Sequence, residues 1–190
     1  LDVKPKGSEL LIGIPKENSF NENRIALTPE AVGVMIANGH QVVVETKAGD
    51  GASYTDRDYS EAGAKIAYDK KEVFECDILV KSAPVSESEC ELLKPNQYII
   101  SPIHLAVMKR EILQKMMDKK ITALSFENLK DDTGHNPIVR SMSEIAGSAV
   151  MLIAGQYLSK TNNGKGVLVG GISGIPPTKV IIIGAGIVGE

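Results

Sequence analysis

Residues 9–45 read ELLIGIPKENSFNENRIALTPEAVGVMIANGHQVVVE, and the order of apolar and punctuating residues in this stretch decides the fold class. The aliphatic run that opens it ends at Gly13 and Pro15, as extended structure does. After a polar loop, Thr28 stands before Pro29 and Glu30, an N-cap followed by proline at the first helical position. Val32, Met35 and Ile36 then recur at helical spacing, and Asn38 and Gly39 stop the helix. HQVVVE (40–45) follows, a β-branched run suited to a buried strand. Strand, helix, strand is the βαβ unit, which sets two parallel strands in one sheet with a right-handed crossover.

The same alternation continues outward. A helix is expected over about 55–62, a strand at 64–67 and a brief helix through Glu72 and Phe74, then the strand CDILVKSAP (76–84). SESECELLKP (86–95) offers an acid-started helix stopped at Pro95, and QYIISPI (97–103) another strand. A helix over about 109–119 and the strand ITALSFE (121–127) close the set. The prediction is an α/β fold, a doubly wound, mostly parallel, Rossmann-like sheet whose ligands lie at the carboxyl ends of its strands.

Beyond it, SMSEIAGSAVMLIAGQYL (141–158) is apolar on most sides and reads as a buried or interdomain helix, too short for a membrane span. A connector rich in Gly, Asn and Pro follows, TNNGKGVLVGGISGIPPTK (161–179). The last residues, TKVIIIGAGIVG (178–189), read as a buried strand running into GxGxxG, with Gly184, Gly186 and Gly189 at the marked positions. The first glycine permits a tight turn, the second lets backbone approach a pyrophosphate, and the third allows close helix packing. The expected division is a substrate-binding domain at 1–140, an interdomain helix and connector at 141–177, and the first strand of a truncated NAD-binding Rossmann domain at 178–190. The chain by itself is expected to be inactive, because the helix and acidic residue that complete such a domain would follow the turn.

Composition narrows the function classes. With 43% hydrophobic, 24% charged and 4% aromatic residues, the chain is an ordinary globular one. A net charge of −3 gives no basic field to gather nucleic acid or an anionic membrane, so neither is an expected partner. The polar start LDVKPKGSE lacks the apolar stretch of a secretory signal, and a cytoplasmic address is expected. Cys76 and Cys90 show neither CxxC spacing nor a nearby histidine, so they read as buried structural thiols, and no metal is expected.

Three residues fall just after predicted strands. Arg24, in the loop after the first strand, carries a guanidinium that could fork onto a carboxylate. Lys81 ends DILVK, and His104 follows YIISPI with a side chain suited to proton transfer near neutrality. Lys16 and Glu17 read equally well as plain surface residues. Each of the three, taken alone, also reads as an ordinary surface charge or structural histidine. Their position at the ends of three different strands is what marks them.

PKE (15–17), ENRIALTP (22–29), VKSAP (80–84), IHLA (103–106), MSEIAG (142–147) and GKGVLVGGISG (164–174), ahead of the glycine turn, together resemble the alanine dehydrogenase family. Pyridine nucleotide transhydrogenase alpha subunits share several of these blocks but typically lack the histidine of IHLA. The strand end leans the other way: VKSAP has one residue more before its proline than the VKEP usual in alanine dehydrogenases, and transhydrogenase-like proteins often read KVNAP there.

The resemblance implies reversible oxidative deamination of L-alanine to pyruvate and ammonia with NAD as cofactor. Arg24 would bind the substrate carboxylate, and Lys81 would hold the carboxylate or polarise the carbonyl oxygen. His104 would act as general acid or base. Ser143 would approach the cofactor, with Gly184, Gly186 and Gly189 at its pyrophosphate. A homo-oligomer, generally hexameric, is the family's assembly. A transhydrogenase alpha subunit, or a dehydrogenase acting on another amino acid such as lysine or saccharopine, are the alternatives.

Overall fold

The computed structural model describes residues 9–19 and 21–190, so the polar opening falls outside the described residues up to Ser8. Two compact units divide the chain, one ending at Phe126 and the other covering Glu127–Glu190.

The first unit alternates β1 (Leu11–Ile14), α1 (Pro29–Ala37), β2 (Gln41–Glu45), α2 (Asp56–Glu61), β3 (Lys65–Ala67), α3 (Lys70–Phe74), β4 (Ile78–Val80), α4 (Glu87–Leu92), β5 (Tyr98–Ser101), α5 (Arg110–Asp118) and β6 (Thr122–Ser125). Local chemistry sets the helix starts. The Thr28 hydroxyl accepts from the Ala31 N–H ahead of Pro29, and α2 and α4 open with reciprocal capping boxes, Thr55 with Asp58 and Ser86 with Glu89.

All strand pairs are parallel, in the order β3-β2-β1-β4-β5-β6. Because parallel strands are buried on both faces, the sheet feeds two cores. Ile12, Ile14, Val42 and Val44 pack with Val32 and Tyr59 from α1 and α2. Val43, Leu79 and Ile99 pack on the other side with Val73, Phe74, Cys90 and Met116 from α3, α4 and α5. Gly13 marks a close approach of α3 to the sheet, since a Cβ there would lie 2.6 Å from the Val73 carbonyl oxygen. The doubly wound sheet is therefore present, and β1 and β4 are neighbours although two strands separate them in sequence. That junction is the topological switch point, where the loops leaving the two strands diverge and leave a crevice for ligands.

The second unit departs from the sequence expectations in two respects. Its helix α6 covers Pro137–Leu158, 22 residues, beginning four residues before the expected start. Proline at the first position needs no N–H partner and so allows the earlier start. By length and composition this helix could cross a membrane, contrary to the expectation that it is too short. None of its residues is buried, and Ile145 and Leu152 are largely exposed. Within this unit the Val188 backbone lies against Gly147 and the Val169 side chain against Gly155.

The second departure is at 178–183, which forms no strand. Ile181, Ile182 and Ile183 are exposed, and no described strand lies beside them. β structure needs a neighbour to take its hydrogen bonds, so β-branched composition alone does not produce it.

Candidate functional site

Arg24, Lys81 and His104 follow β1, β4 and β5, three adjacent parallel strands, so all three belong to the same carboxyl edge of the sheet. Lys81 and the loop carrying Arg24 flank the switch point between β1 and β4. His104 lies one strand further along. The strand order thus brings the carboxyl ends of β1, β4 and β5 side by side.

Lys81 is the most constrained. Its N–H bonds to the Ile100 carbonyl, continuing the ladder one residue beyond β4. Its side chain is fully buried, with Nζ 2.7 Å from Glu17 Oε2 and 3.2 Å from Glu89 Oε1. Glu17 also accepts from the N–H groups of Ser82 and Ala83, at 2.6 and 3.2 Å. One carboxylate therefore ties the loop after β1 to the loop after β4. Glu89, on α4, accepts in addition from Lys70 Nζ at 2.8 Å. The result is a buried chain of alternating charge, Lys70–Glu89–Lys81–Glu17.

Glu17 is a correction to its reading as a plain surface residue: its side chain is only 4% exposed. Neither Glu89 nor Lys70 stands out in the sequence as part of a site. The one available signal was Ser86-x-x-Glu89, which announces a capping box but not the lysine on its far side.

Burial pushes the Glu89 carboxyl up, but the charge of Lys81, the Lys70 hydrogen bond and the Ser86 N–H outweigh it and bring the group to about 2, from an ordinary 4.5. Because the folded value lies below the unfolded one, Glu89 contributes its full stabilisation above about pH 4.5 and loses it as pH falls towards about 2. That difference corresponds to roughly 3 kcal/mol. Urea midpoints measured between pH 6 and 2.5 should therefore fall more steeply for the wild type than for Glu89→Gln. Parallel curves would show that the acid sensitivity lies elsewhere.

Arg24 lines a cavity of about 210 Å³ together with Glu17, Glu22, Lys47 and Asp50. Its guanidinium grips Glu22 side-on, with Nε 2.7 Å from Oε1 and Nη2 2.6 Å from Oε2. The hydrogen bond to Arg24 draws the Glu22 carboxyl down, and the same bond raises Arg24. Half of the Arg24 side chain remains exposed. The loop can hold this shape because Gly51 lies against Asn23: a Cβ at Gly51 would come within 2.8 Å of the Asn23 backbone.

His104 is exposed and takes a left-handed backbone conformation, φ 49°, and its carbonyl accepts from the N–H groups of Val107 and Met108. A turn at Leu105–Val107 thus separates it from α5.

Ser143, Gly184, Gly186 and Gly189 belong to the second unit. The Ser143 hydroxyl donates to the Val139 carbonyl one turn back on α6. At the glycine turn, Gly184 has φ 109°, a conformation side chains disfavour. A Cβ on Gly189 would lie 2.7 Å from the Gly184 oxygen, whereas one on Gly186 would meet nothing within 4 Å. The N–H groups of Gly189 and Glu190 both reach the Gly186 carbonyl, so the backbone begins to coil after the turn. This arrangement fits what a dinucleotide phosphate requires: a tight turn, open space over the middle glycine, and N–H groups at a helical start.

Both cysteines are buried free thiols that burial pushes up, Cys76 to about 11, and neither lies in this site. Among the described residues, no cluster of His, Cys, Asp and Glu could hold a metal ion.

Residues 13–146 match the family model for the alanine dehydrogenase/PNT N-terminal domain, and residues 149–190 the model for the C-terminal domain. The chain is 41% identical over 181 residues to an alanine dehydrogenase of Methanococcus maripaludis, covering 95% of this chain and 48% of that protein. It is 38% identical over 175 residues to an alanine dehydrogenase of Staphylococcus epidermidis, covering 92% and 47%. A solved L-alanine dehydrogenase superposes with a TM-score of 0.90 at 34% identity, over 95% of this chain and 50% of that one. A transhydrogenase from Sinorhizobium meliloti superposes at 0.68 with 24% identity over 77% and 44%, which reflects the shared fold. The chain spans about half the length of these relatives.

Proposed function

Because this chain belongs to the alanine dehydrogenase/PNT family, we propose that the protein carrying it performs the NAD-dependent, reversible oxidative deamination of L-alanine to pyruvate and ammonia. In this reading residues 1–140 form the substrate-binding domain, 141–177 link it onward, and 178–190 open the NAD-binding domain. The observation that carries the proposal is the alignment of Arg24, Lys81 and His104 along one carboxyl edge across the switch point.

Each residue has a task its surroundings support. Arg24 binds the substrate carboxylate, and the side-on grip it keeps on Glu22 is the pairing that task requires. An ammonium has three N–H donors, and Glu17 and Glu89 take two of those on Lys81, leaving one for a single substrate oxygen. That count favours polarising a carbonyl over gripping a carboxylate. His104, exposed at the same edge, moves the proton as general acid or base.

Gly184, Gly186 and Gly189 hold the cofactor's pyrophosphate, with Ser143 nearby on the preceding helix. NAD, when bound, supplies the nicotinamide that accepts hydride from the substrate Cα. Water exclusion on closure would strengthen the charged contacts to the substrate.

The protein is read as a cytoplasmic homo-oligomer, hexameric as the family resemblance of its sequence blocks implies, acting on small molecules. Neither nucleic acid nor membrane has a role in this reading, and the two family models together run through α6 up to Ala146 and again from Ala149. The test is an assay of the full-length protein with L-alanine and NAD, following reduced nicotinamide. Arg24→Ala should raise KM for pyruvate at least about tenfold, since it removes charge-assisted hydrogen bonds. Hydride exchange between two nicotinamide cofactors without alanine oxidation would replace this reading with the transhydrogenase one.

A further inference from the structure

We propose that Glu89 is a positioning residue for Lys81: one carboxylate oxygen caps α4 while the other fixes the lysine ammonium at the switch point. The inference rests on the reading that Lys81 serves the substrate.

Glu89 divides its two oxygens between two jobs. Oε2 accepts from the Ser86 N–H and from its hydroxyl, both at 3.0 Å, which anchors the carboxylate to the start of α4. Oε1 faces inward, 2.8 Å from Lys70 Nζ and 3.2 Å from Lys81 Nζ. The side chain is 3% exposed, so neither bond is diluted by solvent. A lysine has four rotatable stem bonds, and a point charge on such a stem has no preferred direction of its own. Two fixed carboxylates remove that freedom and aim the remaining N–H.

The two carboxylates around Lys81 are not equivalent. Glu17 sits on the loop after β1 and lines the cavity beside Arg24, so it borders the space a ligand enters. Glu89 comes from the helix following β4 and is clamped at its other oxygen. Lys70, which also donates to the Lys16 carbonyl at 3.2 Å, matches the charge of Glu89. Glu89 thus stays ionised between two ammonium groups, Lys81 and Lys70. Of the pair, Glu89 is the rigid reference and Glu17 the partner at the ligand's side.

Glutamine at position 89 separates the two jobs. A capping box accepts glutamine as well as glutamate, so the amide oxygen can keep the Ser86 N–H and α4 its start. The amide NH2 then faces two ammonium groups, donor against donor. Ser86→Ala is the complement: it removes the hydroxyl of the cap and leaves the inward oxygen in place.

The experiment compares full-length wild type, Glu89→Gln and Ser86→Ala in two measurements. One is alanine oxidation. The other is acylation of Lys81 by acetic anhydride, read by peptide mass spectrometry against the surface residue Lys109. For Glu89→Gln, kcat should fall about tenfold to a hundredfold, the scale of a misplaced catalytic-site group, while KM for NAD is unchanged. Lys81 should also be acylated several-fold faster. Ser86→Ala should match wild type in both measurements.

If Glu89→Gln keeps wild-type kcat and wild-type acylation, or if Ser86→Ala reproduces both of its effects, the positioning role is overturned and Glu89 is only a helix cap. If the wild type does not oxidise alanine, the proposed function fails instead. The acylation comparison then decides the positioning of Lys81 without it.

Discussion

Lys81→Met should lower the stability of this chain by about 3 kcal/mol or more, because removing one partner of a buried ion pair strands the charge of the other. Methionine fits the space of the stem and brings no charge to a side chain that is 0% exposed. Glu89 would keep Lys70 at 2.8 Å. Glu17 would keep only the main-chain N–H groups of Ser82 and Ala83, and its carboxylate would have no cation. The loss should therefore come from Glu17, which the double variant Glu17→Gln/Lys81→Met can establish. If the stranded carboxylate is the cause, the double variant recovers most of the loss, as coupled neighbours do. Urea denaturation with an unchanged m-value is the measurement. A single-variant loss below about 1 kcal/mol would mean that Glu17 finds another partner.

The second large effect belongs to His104. A positioned general acid or base contributes on the order of 10² to 10⁴ in rate, so His104→Asn in the full-length protein should lower kcat by that range. Asparagine is the informative replacement, because position 104 has φ 49° and asparagine tolerates the left-handed region better than most residues. The backbone turn through Val107 and Met108 is thus preserved, and the melting temperature should hardly move. A fall in kcat with unchanged stability identifies chemistry. Loss of both would mean that His104 supports the turn, and retained kcat would remove it from the proton-transfer role.

The two substitutions differ in kind although their residues end neighbouring strands. Lys81 is held by long-range charge and fails through stability and aim together. His104 stands at the surface and is expected to fail through proton transfer. A site with one buried, pre-aimed cation and one accessible proton carrier suits a reaction that must orient a small carbonyl and then move a proton.

Much of this was legible in the sequence because it is local. Thr28 before Pro29 starts α1, the 3.6-residue spacing of Val32, Met35 and Ile36 keeps it, and Asn38 with Gly39 ends it. The β-branched run at 42–44 and the aliphatic run at 78–80 are strands where expected, and their alternation with helices dictated a parallel, doubly wound sheet. Lys81 directly follows β4, His104 comes three residues after β5, and Arg24 lies in the loop between β1 and α1. The glycine spacing at 184, 186 and 189 likewise specifies its own turn, through backbone freedom and close approach.

Contacts across the sheet order were beyond such reading. Glu17 and Lys81 are 64 residues apart and meet only because β1 lies beside β4, and no local pattern distinguishes Glu17 from an ordinary loop charge. Glu89 was legible as a cap and illegible as the partner of a buried lysine for the same reason. The isoleucines at 181–183 carry strong β propensity, yet form no strand without a neighbour to pair with. Sequence by itself determined the elements and their turns, since those follow from spacing, caps and backbone freedom within a few residues. Tertiary structure alone decided which charges share a buried site and which apolar runs become strands, since both depend on what the fold brings alongside.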